Sequence, residues 1–212
     1  MSNIYPNELL NKVEEITIQF IQKNKLKALI LDVDNTLIDY NKNLSNEKIE
    51  WAKNLKGQGV KLYILSNTNK KDKVEKVANK LEIPYLYFAK KPSKKGFLKI
   101  QNKLELKPEQ IGVVGDQIFT DIIGGNRCKM FTILVEPVDK KDLLITAWKR
   151  PIEEKIKQKY RKTKEKSKNV FQWCAYNILC GNINNRCNCW KNSELGKLQA
   201  NRYKKNNFFR FF

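Results

Sequence analysis

ALILDVDNTL, residues 28–37, opens as an apolar run from Ala28 and stops abruptly at acidic residues. A short uninterrupted run of this kind is the pattern of a strand buried on both faces. Similar runs recur at Val60 to Leu65, Tyr85 to Phe88, Ile111 to Val114 and Phe131 to Val135. Between them lie charged segments with helical spacing: Val74, Val77, Ala78 and Leu81 share one face, and Phe97, Ile100 and Leu104 another. Strand and helix in alternation predict an α/β domain, an open Rossmann-like parallel sheet of about five strands with helices on both faces. In that architecture ligands bind at the carboxyl ends of the strands, so the residues that follow each run decide the function.

Those residues are Asp32, Asp34, Asn35 and Thr36 after the first run, then Ser66, Asn67 and Thr68, then Lys90 and Lys91, then Asp116. Ordinary turns also use Asp, Asn and Ser to cap helices, but that does not account for a lysine converging with three acids. Asp32 and Asp34 are one residue apart, so in an extended segment they share a face, where like charges need a cation between them. A hard divalent ion such as Mg²⁺ is implied, with Asp116 completing its site. Asp32 is the expected nucleophile toward phosphorus, and Asp34 the acid that protonates the leaving alkoxide and then takes a proton from water. Ser66 and Lys91 are expected to hold the phosphoryl oxygens, with Thr36 and Asn67 as further substrate contacts.

LDVDNTL (Leu31 to Leu37), Ser66-Asn67, Lys91-Pro92 and GDQIFTD (Gly115 to Asp121) resemble, in order, the four motifs of the haloacid dehalogenase (HAD) superfamily phosphatases. A lone DxD is common, whereas four such motifs in order, each at a strand end, are hard to meet by accident. The resemblance implies a Mg²⁺ held by the Asp32 carboxylate, the Asp34 backbone carbonyl and Asp116, with Asp121 as the second acid of the last motif. It also favours Lys91 over Lys90, because the family lysine usually precedes proline. DVDNTL with VGDQIFTDIIGGNR is similar to the YqeG-type subclass IIIA phosphatases, relatives of the mitochondrial phosphatidylglycerophosphate phosphatases, over residues from about 5 to 160. That implies removal of the terminal phosphate of phosphatidylglycerophosphate to give phosphatidylglycerol. The alternatives are the same chemistry on a nucleic-acid end, a protein or a metabolite, and a non-enzymatic basic nucleic-acid-binding protein.

Spacing adds a constraint on access. Twenty-nine residues separate Thr36 from Ser66 and 24 separate Ser66 from Lys91, each used up by one helix and one strand. No cap domain fits, and an uncapped site suits a substrate whose bulk stays outside, such as a lipid headgroup. An opening amphipathic helix is expected from Leu9, Val13, Ile16 and Phe20. It would pack on the sheet or, with Lys23, Lys25 and Lys27, touch an anionic membrane. Gly124 and Gly125 are expected to end a helix in a left-handed turn, and Cys128 to be a small packed residue.

Composition narrows the field. The 212 residues contain no His, which excludes imidazole-based triads and His-ligated zinc catalysis. No apolar run approaches the ~18 residues of a membrane span. The first twenty residues carry Glu8, Glu14 and Glu15 and do not read as a secretory signal, so a cytoplasmic location is expected, with peripheral membrane contact in reach. The formal net charge is +20. Residues 151–212 supply more than half of it, with 15 Lys+Arg against 4 Asp+Glu. Such an excess favours polyanions in general without choosing nucleic acid or membrane, and no nucleic-acid motif points to a specific nucleic-acid partner. Domain 1–162 is read as the phosphatase, and 163–212 as a basic, Asn- and Cys-containing tail, disordered or a nonnative C-terminus. Cys174, Cys180, Cys187 and Cys189 miss the CxxC spacing of structural zinc sites.

Overall fold

The computed structural model describes residues 4–139 and 150–179, with the backbone alone for the last helix from 166 onward. The chain divides into two units, Met1–Glu153 and Glu154–Phe212. In the first, six parallel strands form one sheet: β1 (Glu8–Leu10), β2 (Ala28–Leu31), β3 (Lys61–Leu65), β4 (Tyr85–Leu86), β5 (Ile111–Gly115) and β6 (Phe131–Val135). Their order is β1-β6-β5-β2-β3-β4. The helices between them are α1 (Ile18–Lys23), α2 (Asn46–Gly57), α3 (Lys71–Leu81), α4 (Lys94–Leu104) and α5 (Ile123–Arg127), followed by α6 (Arg150–Leu179). The expected parallel α/β sheet is present with one strand more than expected.

Alternation along each strand sorts the core into two layers. Leu29 and Leu31 of β2, with Leu62 and Ile64 of β3, pack with Ala52, Leu55, Val74 and Val77 of α2 and α3. Ala28 and Ile30, with Tyr63 and Leu65, face the other way onto Phe97, Ile100 and Leu104 of α4. Burial of both faces explains the continuous apolar runs. β2 and β5 pair in register from Ala28↔Ile111 to Leu31↔Val114, and Asp32 N–H donates to Val114 O at 2.9 Å. Asp32 and Asp116 thus leave adjacent central strands at the same edge.

The opening segment departs from expectation. Leu9 lies in β1, paired with Leu134, and a 3-10 turn at Val13–Glu15 separates it from α1. Val13 and Ile16 are buried, and Phe20 meets Phe131 edge-on at 6.3 Å. The stripe therefore belongs to the core and forms no continuous helix. β1 is pinned through Asn7, whose Oδ1 accepts from Thr132 N–H at 2.8 Å and whose own N–H donates to Thr132 O at 2.8 Å. A helix pattern of 3–4 spacing was imitated by a half-buried strand, a turn that buries Val13 and a helix that buries Ile21.

Two further differences concern local geometry. The third run is a strand only over Tyr85–Leu86, because Phe88 turns into the left-handed region (φ 52°). Gly124 and Gly125 lie inside α5 and end nothing. A Cβ on Gly124 would stand 2.4 Å from the Phe97 ring, and one on Gly125 would stand 2.6 Å from Thr132 Cγ2. Their role is close packing of α5 on α4 and the sheet. Cys128 is buried, and burial pushes its thiol pKa up. The backbone is helical from Arg150 through Leu179, past Thr163, and the remainder of the tail, including Cys180, Cys187 and Cys189, lies outside the described residues.

Candidate active site

The site sits at the carboxyl ends of β2, β3 and β5 and on the loop after β4. Its centre is the amine of Lys91, which donates to Asp32 Oδ1 at 2.5 Å and to Asp121 Oδ1 at 2.6 Å. Asp32 is 8% exposed, Lys91 7%, Asp121 2% and Asp116 0%. Carboxylate oxygens of Asp32, Asp116 and Asp121 all lie within 4.8 Å of one another. Burial pushes the Asp32 carboxyl up from 3.8 to about 7, opposed by the Lys91 charge and reinforced by Asp121 and Asp34. Burial alone would lower Lys91, but Asp121 and Asp32 outweigh it and hold the amine above its usual range.

The donor set fits a hard divalent cation. Asp32, Asp116, Asp121 and Lys91 carry a formal charge of −2 among them, every candidate ligand atom is a carboxylate oxygen, and there is no sulfur or imidazole in the cluster. Oxygen-only sites suit Mg²⁺. Asp34 stands apart from this cluster, its carboxylate paired with Lys73 of α3. Of the residues expected at the site, Ser66 is fully buried, and its hydroxyl accepts from Thr68 N–H at 3.2 Å. Thr36 is buried with no hydrogen-bond partner for its hydroxyl among the described residues.

Three residues do work that the pattern did not reveal. Asn67, expected to contact substrate, grips the main chain of Lys91: Oδ1 accepts from its N–H at 2.6 Å and Nδ2 donates to its carbonyl at 3.1 Å. This clamp sets the backbone from which the central amine extends, and the Lys91-Pro92 bond that follows is cis. Lys73, one of several lysines in KKDK, meets Asp34, and nothing in its sequence context distinguishes it from its solvated neighbours. Glu153 is buried, and its Oε1 accepts from the N–H groups of Ile118 and Phe119 at 2.8 and 3.3 Å. It thereby caps the π-helical turn Ile118–Ile122 that carries Asp121. Thr120 Oγ1 donates to the other oxygen of Asp121 at 2.9 Å.

Gly115, the last residue of β5, makes room for this turn. A Cβ there would stand 2.3 Å from Asp121 Cγ. Gly115→Ala is therefore expected to push Asp121 off Lys91, lowering kcat at least about tenfold and the melting temperature by several degrees. Steady-state kinetics and a thermal melt check both effects.

The fold and the four motifs gathered at its strand ends define a phosphatase of the HAD type. The chain belongs to the family described as mitochondrial PGP phosphatase, whose profile matches residues 1–139. It is 38% identical over 152 residues to a Bacillus subtilis (strain 168) protein named "Probable phosphatase YqeG", spanning 71% of this chain and 88% of that one. Among solved structures, an uncharacterized protein from Listeria monocytogenes serotype 4b aligns with a TM-score of 0.45 and 21% identity, over 56% of this chain and 86% of that one. The 3-deoxy-D-manno-octulosonate 8-phosphate phosphatase of Moraxella catarrhalis, solved with magnesium, phosphate and KDO, aligns with a TM-score of 0.38 and 17% identity, over 47% and 64%. No helix among the described residues is long and apolar enough to cross a membrane.

Proposed function

We propose that this protein is a Mg²⁺-dependent phosphomonoesterase that works through an aspartyl-phosphate on Asp32 and takes phosphatidylglycerophosphate as substrate. The observation that carries the reading is the Lys91 amine bridging Asp32 and Asp121 beside Asp116, a buried anionic cluster at the sheet edge. Asp32 would attack phosphorus as the bond to the leaving oxygen breaks, and Asp34 would give that alkoxide its proton. Water then attacks the same phosphorus, Asp34 takes its proton, and inorganic phosphate leaves as the Asp32 carboxylate is restored. Lys91 and Ser66 orient the phosphoryl oxygens, and Lys73 pairs with the Asp34 carboxylate at rest. Asp32, Asp116 and Asp121 with the Asp34 carbonyl would hold Mg²⁺, which supplies positive charge to the phosphoryl oxygens and favours ionised Asp32.

The lipid substrate is supported by the family match and by the short loops after β2 and β3. Loop 32–45 between β2 and α2 forms only a small hairpin, with Ile38 bridged to Leu44, and residues 66–70 connect β3 directly to α3. Phosphate release from phosphatidylglycerophosphate in mixed micelles, a 5′-phosphorylated oligonucleotide and an aryl phosphate, each with Mg²⁺ or EDTA, tests the reading. The expected result is Mg²⁺-dependent release with the highest kcat/KM on the lipid. Release from the aryl phosphate and oligonucleotide but not the lipid would refute the substrate, and Mg²⁺-independent release would refute the metal.

The pKa of Asp32 gives a separate prediction for metal-free protein. The folded state keeps a proton on Asp32 up to about 7, whereas the unfolded chain loses it near 3.8. The associated stability is fully present below about 3.8 and is lost as pH rises through about 7. In EDTA, the unfolding free energy of wild type minus that of Asp32→Asn is therefore expected to fall between pH 4 and pH 8. Mg²⁺ should restore it at pH 8. Chemical denaturation across this range measures the difference, and a flat profile would contradict the buried, proton-retaining Asp32.

A further inference from the structure

The half of the sheet edge formed by the loops after β3 and β4 is basic and exposed. Segments 67–73 and 87–95 meet where Phe88 N–H donates to Thr68 O at 2.9 Å, and Ala89 N–H donates to the carbonyl of the buried Ser66 at 3.0 Å. The two loops are thus one surface at the mouth of the site. On it Lys70, Lys71, Lys90, Lys94 and Lys95 are exposed against one exposed acid, Asp72. Lys94 and Lys95 stand in the first turn of α4, which has no acidic residue. Cations there oppose the helix dipole, so helix stability does not explain them, and their charge adds to the positive potential of the helix end. Among the described residues, the segment after β6 at the other end of the same edge, 136–139, carries the acids Glu136 and Asp139.

Out of this basic surface project two aromatic side chains. Tyr87 is 37% exposed and Phe88 54%. Phe88 holds φ at 52°, a region costly for a bulky residue, and the backbone turns there in place of continuing β4. The Lys90 amine lies 4.9 Å from the centre of its ring. A large aromatic held in solvent by a left-handed turn, beside Lys90 on a lysine-bearing surface and three positions before Lys91 in sequence, is the arrangement of an interfacial anchor: rings enter the headgroup boundary while ammonium groups meet lipid phosphates.

We propose that Tyr87 and Phe88, with Lys70, Lys71, Lys90 and Lys94, dock the protein on an anionic lipid bilayer with the mouth of the site facing the membrane. The inference rests on the lipid-phosphatase reading and names how that substrate is met: a phosphomonoester headgroup reaches Lys91 without leaving the bilayer. The excess of lysine over acid on this surface selects an anionic lipid surface over a neutral one, and the paired aromatics favour an interface with an apolar layer beneath its phosphates.

Flotation of the full chain at 0.15 M salt with vesicles of phosphatidylcholine alone, or with 30% phosphatidylglycerol, tests it. Wild type and the Y87S/F88S double variant are compared, with aryl phosphate hydrolysis in Mg²⁺ measured alongside. Wild type is expected to float only with anionic vesicles, and the double variant to bind them about tenfold or more weakly with unchanged aryl phosphate turnover. Hydrogen exchange should slow in 86–92 on vesicle binding. Equal binding by the double variant, no protection in 86–92, or competition by RNA that depends equally on the two aromatics would overturn the proposal. Loss of aryl phosphate turnover in wild type would instead refute the catalytic reading, so the two failures are distinguishable.

Discussion

Asp32→Asn is expected to lower Mg²⁺-dependent phosphate release by roughly 10³-fold or more, with KM for the same substrate changed little. The substitution keeps shape and replaces a nucleophilic oxygen by an amide that cannot form the acyl phosphate. It also removes a carboxylate whose burial is the largest influence on its own proton affinity. At pH 8 the metal-free variant is therefore expected to unfold at a denaturant concentration no lower than that of wild type. Loss of activity with intact stability separates a chemical role for Asp32 from a packing role. A variant that kept a tenth of wild-type activity would remove Asp32 from the reaction.

Lys91→Met is the second large effect, and it acts on the fold as well as on turnover. Methionine fills the stem volume but leaves Asp32 and Asp121 without the amine that bridges them at 2.5 and 2.6 Å, beside buried Asp116. Breaking a buried ion pair on one side costs about 3–5 kcal/mol, and here two carboxylates lose the same partner. In EDTA at pH 8 the variant is expected to be destabilised by about that amount, and millimolar Mg²⁺ to recover part of it by supplying the missing charge. Activity should fall by at least about 10²-fold even when Mg²⁺ restores the fold. Urea unfolding with EDTA or Mg²⁺ measures the first effect, and phosphate release the second. Destabilisation that Mg²⁺ does not relieve would contradict a cation site in this cluster.

Much of this site was legible because the fold and the chemistry share one signal. Burial on both faces makes each central strand an apolar run, so the first polar residues after it mark the sheet edge, and Asp32, Ser66 and Asp116 can be read there directly, whereas Lys91 lies in the loop beyond the short, half-buried edge strand β4 and is marked by the proline that follows it. The residues that escaped reading are those whose partners are distant in sequence. Asn67 sits beside Ser66, yet its grip on Lys91 spans 24 residues. Glu153 reaches Ile118 across 35. Lys73 shares its segment with Lys70, Lys71 and Lys76 and is singled out only by where α3 begins relative to β2. β1 was hidden for a related reason: three residues paired with β6, more than 120 positions away, leave no period of their own. Local patterns report burial and caps, whereas pairwise geometry between distant segments has no local signature.

The central claim is a phosphoryl group carried on Asp32, and trapping it is the most direct measurement. A single turnover of full-length protein with a labelled phosphomonoester and Mg²⁺ is quenched in acid, treated with borohydride and digested for mass spectrometry. An acyl phosphate is reduced to the alcohol, so the account predicts homoserine at position 32, formed only with substrate and Mg²⁺ and absent from Asp32→Asn. Turnover at the wild-type rate with no modification at position 32, or with label on another residue, would contradict it.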